Sequence, residues 1–224
     1  MFTAGDPTRN PSFVYFADPN YFITDFPATT CETCINPAFA WNHGDIQPEI
    51  ANTWLGFVGP GVLNEGQDQQ TWSDHADVRP TILTLLGLRD MYVHDGRALT
   101  EAIEASARPV ALRVQTRTLS ELTRLFKQIN APFGRFARDS LKVSTAALVS
   151  DTPSDTTYTT LQQLIAGWVA RRDSLADAIK TMLTNATFGD GPINEGDAKT
   201  LVEQARALLQ EVNACATNVA QCAP

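Results

Sequence analysis

Several features that mark membrane proteins and common enzyme classes are missing from this chain. Apolar runs such as Ile82–Leu86 are far shorter than the roughly 20 residues that a membrane-spanning helix needs. Met1–Arg9 has neither the basic region nor the apolar stretch of a signal peptide. Phosphate-binding glycine loops and the motifs His-Glu-x-x-His and Gly-x-Ser-x-Gly are also absent. The sequence therefore predicts no transmembrane helix and no signal peptide. The enzyme classes that those motifs define also lose the main sequence evidence that would favour them.

Lysine is missing from residues 1–105, which hold 14 acidic residues against 4 arginines. The remaining 119 residues hold 11 acidic and 13 basic residues, within a globular composition of 43% hydrophobic and 19% charged residues. This asymmetry predicts two modules, 1–105 and 106–224. The acidic half is a poor match for nucleic acid, which needs clustered Lys and Arg. It suits divalent cations better, although the acids could equally form a solvated surface.

The four cysteines form two close pairs near opposite ends of the chain, Cys31 with Cys34 and Cys215 with Cys222. Four cysteines allow three disulfide connectivities, and the sequence alone does not choose among them. The spacing of seven in the second pair departs from zinc-ribbon spacing, and a thioredoxin-like setting for the first pair is absent. Structural disulfides are the favoured interpretation, ahead of reduced cysteines and of zinc. Disulfides would indicate an exported protein.

The first half reads as mixed secondary structure. We predict a short strand at Ser12–Phe16 and a buried strand at Thr53–Val58, which Gly59-Pro60-Gly61 would close. Asp74 could cap a helix that continues through Leu86 and ends at Gly87.

The second half reads as helical. Apolar residues at helical spacing predict a helix from Leu119 to Ile129, another over 134–149, and a long helix ending near the Gly189–Pro192 turn. Asn194 could cap a last helix. We interpret these apolar stripes as core.

All three histidines lie between residues 41 and 99. His43 is the best candidate for a metal ligand, because neutral imidazole binds zinc and the following Gly44 lets the backbone approach a metal closely. Asp45 could orient the imidazole or simply cap the turn. His75 is as consistent with a capping or surface residue as with a ligand, and His94 reads as part of a surface turn. A lone histidine is more often structural than metal-binding.

Four motifs occur in the order and spacing of a known family. The runs are Trp41–Asp45, Trp54–Val62, Asp74–Leu88 and Asp95–Leu99. Together they resemble the C-terminal part of the alkaline phosphatase superfamily, which includes sulfatases and nucleotide phosphodiesterases. The resemblance covers about residues 1–105. It implies an α/β class, the C-terminal part of an alkaline-phosphatase-like α/β sandwich, followed here by a mostly α-helical region.

The resemblance also implies chemistry. His43 aligns with the last metal-ligand histidine of the family, so the intact enzyme would use a divalent metal, zinc by preference. Asp77, Pro80 and Thr81 align with positions that look architectural. Two metals would bind the ester oxygens, activate a hydroxyl nucleophile and stabilise the leaving group. The nucleophile and the other ligands lie upstream of this region in the family, and no histidine precedes His43 here.

The sequence thus predicts the C-terminal portion of a metal-dependent phosphoric or sulfuric ester hydrolase that is inactive alone. We assign no catalytic residue in this chain. The parent protein would be extracellular, periplasmic or in the cell envelope, and would take a small phosphate or sulfate ester as substrate. A protein partner of the helical half remains unknown. The alternative is a non-catalytic binding or interaction protein, built on a degenerate hydrolase scaffold with a helical appendage.

Overall fold

A computed structural model describes residues 48–114 and 116–222. Of these residues, 65% are helical and none lies in a β-strand. The α-helices that they form, α1 to α6, are Pro48–Ala51, Val78–Leu85, Arg117–Asn130, Arg135–Leu148, Thr156–Phe188 and Glu195–Thr217. Short 3-10 helices cover His75–Asp77, Thr100–Ala102, Ala105–Ala107, Val110–Leu112, Pro153–Asp155 and Val219–Gln221.

The chain divides into two compact units, Met1–Gly56 and Phe57–Pro224. The described part of the first unit is α1 and the irregular residues that follow it. The second unit contains a segment of short helices, residues 57–114, which we call the turn segment. It also contains the helical bundle, α3 to α6. The charge asymmetry of the sequence predicts a module boundary near residue 105. In the second unit, hydrogen bonds and ion pairs connect residues on the two sides of that position.

The 3-10 helix His75–Asp77, which leads directly into α2, begins where the sequence predicts a cap. The Asp74 carboxylate accepts a hydrogen bond from the Ala76 N–H, and the Asp77 carboxylate accepts one from the Asp74 N–H, both at 3.0 Å. This reciprocal pair is a capping box, which satisfies backbone donors that a helix start leaves without partners. Gly87, at φ +63°, follows the end of α2 in the left-handed conformation that glycine adopts most easily.

The bundle helices also follow the predicted apolar stripes. Helix α3 packs against α4, α5 and α6, and α5 packs against α6. The side chains between them are fully buried, because each helix has apolar residues three or four positions apart. They include Leu122, Phe126, Phe136, Val143, Leu161, Trp168, Ile179, Leu208 and Val212. The Asn194 side chain caps α6 by accepting hydrogen bonds from the N–H groups of Gly196 and Asp197. The predicted mostly helical C-terminal region is confirmed.

The predicted α/β class is wrong, because the described residues form an all-helical fold with no strand or sheet. The predicted strand Thr53–Val58 is irregular, and its side chains are exposed, Trp54 by 90%, except for the half-buried Phe57. Residues that favour strands form one only when a neighbouring strand supplies hydrogen-bond partners, and none of the described residues does so here. An isolated antiparallel bridge joins Val62 to Ile103. The predicted strand Ser12–Phe16 lies outside the described residues.

A disulfide joins Cys215 near the end of α6 to Cys222. This bond confirms one disulfide of the favoured interpretation and selects the sequence-adjacent pairing for the C-terminal pair. Cys31 and Cys34 lie outside the described residues. None of the helices in the described ranges is both long and apolar enough to cross a membrane.

Candidate functional site

The most concentrated group of charged side chains in the second unit joins the turn segment to the bundle. Lys127 of α3 places its ammonium 3.0 Å from Asp77 Oδ1 and 2.8 Å from Asp74 Oδ2. Asp77 is completely buried and Lys127 is only 1% exposed. A buried charge persists in a protein when a partner of opposite charge and hydrogen bonds compensate it, and both conditions are met here. We call Asp74, Asp77 and Lys127 the buried ion cluster.

Further hydrogen bonds connect the buried ion cluster to the neighbouring backbone. The Arg97 N–H donates to Asp77 Oδ1 at 2.8 Å. Thr81 donates its hydroxyl to the Asp77 carbonyl at 2.6 Å and accepts from the Leu99 N–H at 2.9 Å. These bonds join the motif 74–88 to the motif 95–99, so that residues which are separate in sequence form one unit. The motif residues Asp77 and Thr81 are therefore occupied in holding the turn segment together.

Gly96 allows the two motifs to approach this closely. A Cβ at this position would lie 2.2 Å from the carbonyl carbon and oxygen of Ala76. That distance is far inside van der Waals contact, so the glycine is required by the close backbone approach. Beside it, the Arg97 guanidinium binds the Glu101 carboxylate through two hydrogen bonds of 2.8 and 2.9 Å. Arg97 is itself buried, which fixes the start of the 3-10 helix at Thr100–Ala102.

The three histidines are in different situations. His43, the predicted metal ligand, lies outside the described residues, so its metal role stays a prediction. His75 is exposed in the 3-10 turn before α2. His94 is buried, only 4% exposed, and its Nε2 lies 3.2 Å from Asp90 Oδ2. The interpretation of His94 as a surface residue is therefore wrong; its ring packs between Tyr92 and Phe188.

A second, smaller group of polar side chains is centred on Asp90 and includes Arg79 and His94. The Tyr92 N–H, which donates to its Oδ1 at 2.9 Å, is the main cause that lowers the pKa of Asp90 below its ordinary value. Burial opposes the change, and the positive charge of Arg79 and contact with His94 lower the pKa further. Arg79 lies 2.6 Å from Asp90 Oδ2 and stacks over the Tyr92 ring at 4.9 Å. The 88–95 loop is thereby attached to α2.

A cavity of about 10 Å³ lies between this loop and α5. Its lining includes His94, Arg97, Phe126, Lys180 and Phe188. A volume near 10 Å³ accommodates about one water molecule, so it has no space for a phosphate or sulfate ester. Across residues 48–114 and 116–222, no group of three His, Cys, Asp or Glu side chains is arranged to hold a metal ion.

Helix α2 has an unusual distribution of side chains. Its buried face consists of Pro80, Thr81 and Thr84, while Ile82 and Leu86 are exposed. The two threonine hydroxyls donate to backbone carbonyls within the helix, which allows them to be buried. The loop that follows adds further exposed apolar side chains. We call this face the α2 surface, and its residues are Ile82, Leu86, Leu88, Met91, Tyr92 and Val93.

Sequence reasoning did not identify Lys127 or the α2 surface. Leu119, Thr123 and Lys127 are spaced at i, i+4 and i+8 on α3, but of the first two only Leu119 is apolar, and the burial of Thr123 is seen only in the structure. A lysine in line with buried positions needs a carboxylate partner. Comparison of the chain with protein-family models, with curated proteins and with solved structures finds no match.

Proposed function

We propose that this chain is the C-terminal portion of a metal-dependent phosphoric or sulfuric ester hydrolase and contributes support for the enzyme rather than reacting groups. The observation that carries the proposal is the junction of the 74–88 and 95–99 motifs. The order of the motifs suggested the resemblance. The hydrogen bonds of Asp77 and Thr81 connect two of those motifs to each other.

The supporting role follows from what the side chains already do. Asp77 accepts hydrogen bonds from two backbone N–H groups and from Lys127, which leaves its carboxylate enclosed. Both oxygens of this carboxylate already accept hydrogen bonds, so binding a metal would require it to give up the buried Lys127 ion pair or a backbone partner. The proposal therefore assigns the metal of the enzyme to residues outside the described part, of which His43 is the one predicted.

The first test is the native mass together with activity. An antibody against residues 106–224 should recover a protein well above 24.5 kDa from its source. The purified 224-residue chain, supplied with zinc, should not hydrolyse p-nitrophenyl phosphate, bis(p-nitrophenyl) phosphate or p-nitrophenyl sulfate above the buffer rate. Robust zinc-dependent turnover by the chain alone would contradict the supporting role.

A second test uses the longer protein. His43→Ala should lower zinc occupancy and turnover by orders of magnitude, because loss of a metal ligand opens the site. His75→Ala is the matched control, since this histidine is exposed beside a 3-10 turn and outside any group that could hold a metal among the described residues. Its zinc content and turnover should remain those of the unsubstituted protein. Unchanged zinc in His43→Ala would remove His43 from the site.

A second candidate function is a non-catalytic interaction protein, and the α2 surface is the observation that favours it. Six large apolar side chains exposed on one face indicate contact with another macromolecule more readily than isolated apolar residues do. A native mass of 24.5 kDa for the protein in its source, without bound metal, would make this candidate the better one.

A further inference from the structure

The α2 surface is continuous across two parts of the chain. Ile82 and Leu86 are one helical turn apart and lie on the same side of α2. Arg79, one turn earlier on the helix, binds Asp90 and stacks over Tyr92, which places the 88–93 loop beside this side of α2. Helix and loop therefore present their exposed apolar side chains as one face.

The size of this face is close to what a protein dimer uses. Its six side chains are between 43% and 99% exposed. At roughly 150–200 Å² for a fully exposed large side chain, they present roughly 600–750 Å². The largest apolar patch on a typical monomer is about 300–600 Å², whereas a standard interface covers about 800 Å² of each partner. The α2 surface lies between these values, so a weak interface is expected.

The charges at its edge favour contact with an identical face. Arg79 is paired with Asp90, and Arg89 is paired with Asp190. At this border each of the two arginines is neutralised by a carboxylate, so two copies can meet about a two-fold axis without repulsion between these charges. A nucleic acid or an anionic membrane would need an excess of positive charge, which this neutral border and the net charge of -8 do not supply.

We propose that the α2 surface is the interface of a homodimer, in which α2 of one copy packs against α2 of a second copy. The two exposed residues Ile82 and Leu86 form a short ridge that can pack beside its own two-fold image. Met91, whose side chain adapts to irregular surfaces, extends the contact from the loop. The proposal goes beyond the hydrolase proposal and does not depend on it.

Sedimentation equilibrium of the 224-residue chain between about 1 and 200 µM tests the proposal. We expect a dimer fraction that rises with concentration, with a Kd in the micromolar range that suits an interface at the low end of the standard size. A chain that stays monomeric throughout this range would overturn the proposal, and would indicate that a different macromolecule covers the face. Neither result bears on the hydrolase proposal, because mass in the source and zinc-dependent turnover test that independently.

Matched variants locate the interface. Met91→Asp should weaken the dimer at least tenfold, and because Met91 is 99% exposed the variant should fold normally, which circular dichroism can check. Val149→Asp makes the same kind of change at an exposed apolar residue just after α4 and should leave the Kd unchanged. Equal weakening by both variants, or no weakening by Met91→Asp, would overturn the assignment. A photo-crosslinker at position 91 should form its intermolecular crosslinks with residues 82–93, and crosslinks confined to the bundle would also overturn it.

Discussion

The turn segment and the helical bundle are each stabilised by different kinds of interaction. The bundle buries apolar side chains between four helices, and its stability is spread over many similar contacts. The turn segment buries fewer apolar side chains, namely Ala98, Leu99, Ile103 and Leu112. It also buries Asp77, Thr81, His94 and Arg97, which make directional bonds with defined partners. The contrast shows that a short segment without a sheet or a long helix can keep a defined conformation through directional bonds between particular buried groups, together with a few buried apolar side chains. It also predicts that the two regions respond differently to substitution.

The largest effect should follow from Lys127→Met, which removes the fully enclosed one of the charges that join the two regions. The change leaves Asp77 buried without its cation, and breaking such a pair costs about 3–5 kcal/mol of unfolding free energy. Urea denaturation measures the loss. Lys199→Met is the control, because Lys199 is exposed on α6, and a surface substitution of this kind changes stability by about 0.5 kcal/mol or less. Equal losses would contradict the importance of the buried ion cluster.

In the bundle, Leu122→Ala should lower the unfolding free energy by about 2–5 kcal/mol, because it leaves a cavity at a position with no exposed surface. Leu148→Ala makes the same change on α4 where the side chain is 53% exposed, and should cost less than about 1 kcal/mol. Thermal unfolding followed by circular dichroism compares the two. Similar losses in both variants would mean that burial does not distinguish these sites.

Two glycine substitutions should have effects of opposite sign. Gly96→Ala forces a Cβ against the Ala76 carbonyl and should destabilise the turn segment by about 1–3 kcal/mol. Gly167→Ala, in the middle of α5 with no atom within 4 Å of the new Cβ, should stabilise the protein by about 0.5–1 kcal/mol. Denaturant midpoints measure both. A stabilising Gly96→Ala would contradict the close approach of the two motifs.

The smallest effect concerns pH. Because the folded-state pKa of Asp90 is lowered, its ionised form stabilises the fold at pH values above the ordinary aspartate pKa of about 3.9, and this contribution is lost as the pH falls through the lower folded-state pKa. The stability difference between the unsubstituted chain and Asp90→Asn should therefore be larger at pH 7 than near pH 2. Arg79→Met should reduce the same pH-dependent part, since Arg79 is one of its causes. A difference that is independent of pH would contradict this assignment.

The helices were predictable from the sequence, and the turn segment was predictable only at its caps. Apolar spacing located α3 to α6, and Asp74 and Asn194 marked helix starts by their side-chain chemistry. These signals are local, so a single sequence contains them. The strand at Thr53–Val58 failed because strand formation depends on a partner elsewhere in the chain.

The burial of His94 was also missed, because it depends on a partner far away in sequence. Phe188 of α5 packs on the His94 ring, and no pattern within residues 88–98 predicts that contact. The partnership of Lys127 with Asp77, 50 residues away, is of the same kind. For the candidate site, the sequence identified the motifs that the hydrogen bonds later joined, but it could not identify the cation that holds them to the bundle. The predicted metal role of His43 stays a prediction.

The enclosure of Lys127 has a consequence for chemical labelling. The chain contains four lysines, and amine-acylating reagents modify only lysine side chains that reach solvent. Lys142 meets that condition in the folded protein, whereas Lys127 meets it only when α3 separates from the turn segment. The acylation rate of Lys127 relative to Lys142, measured by mass spectrometry, therefore reports how often the two regions separate.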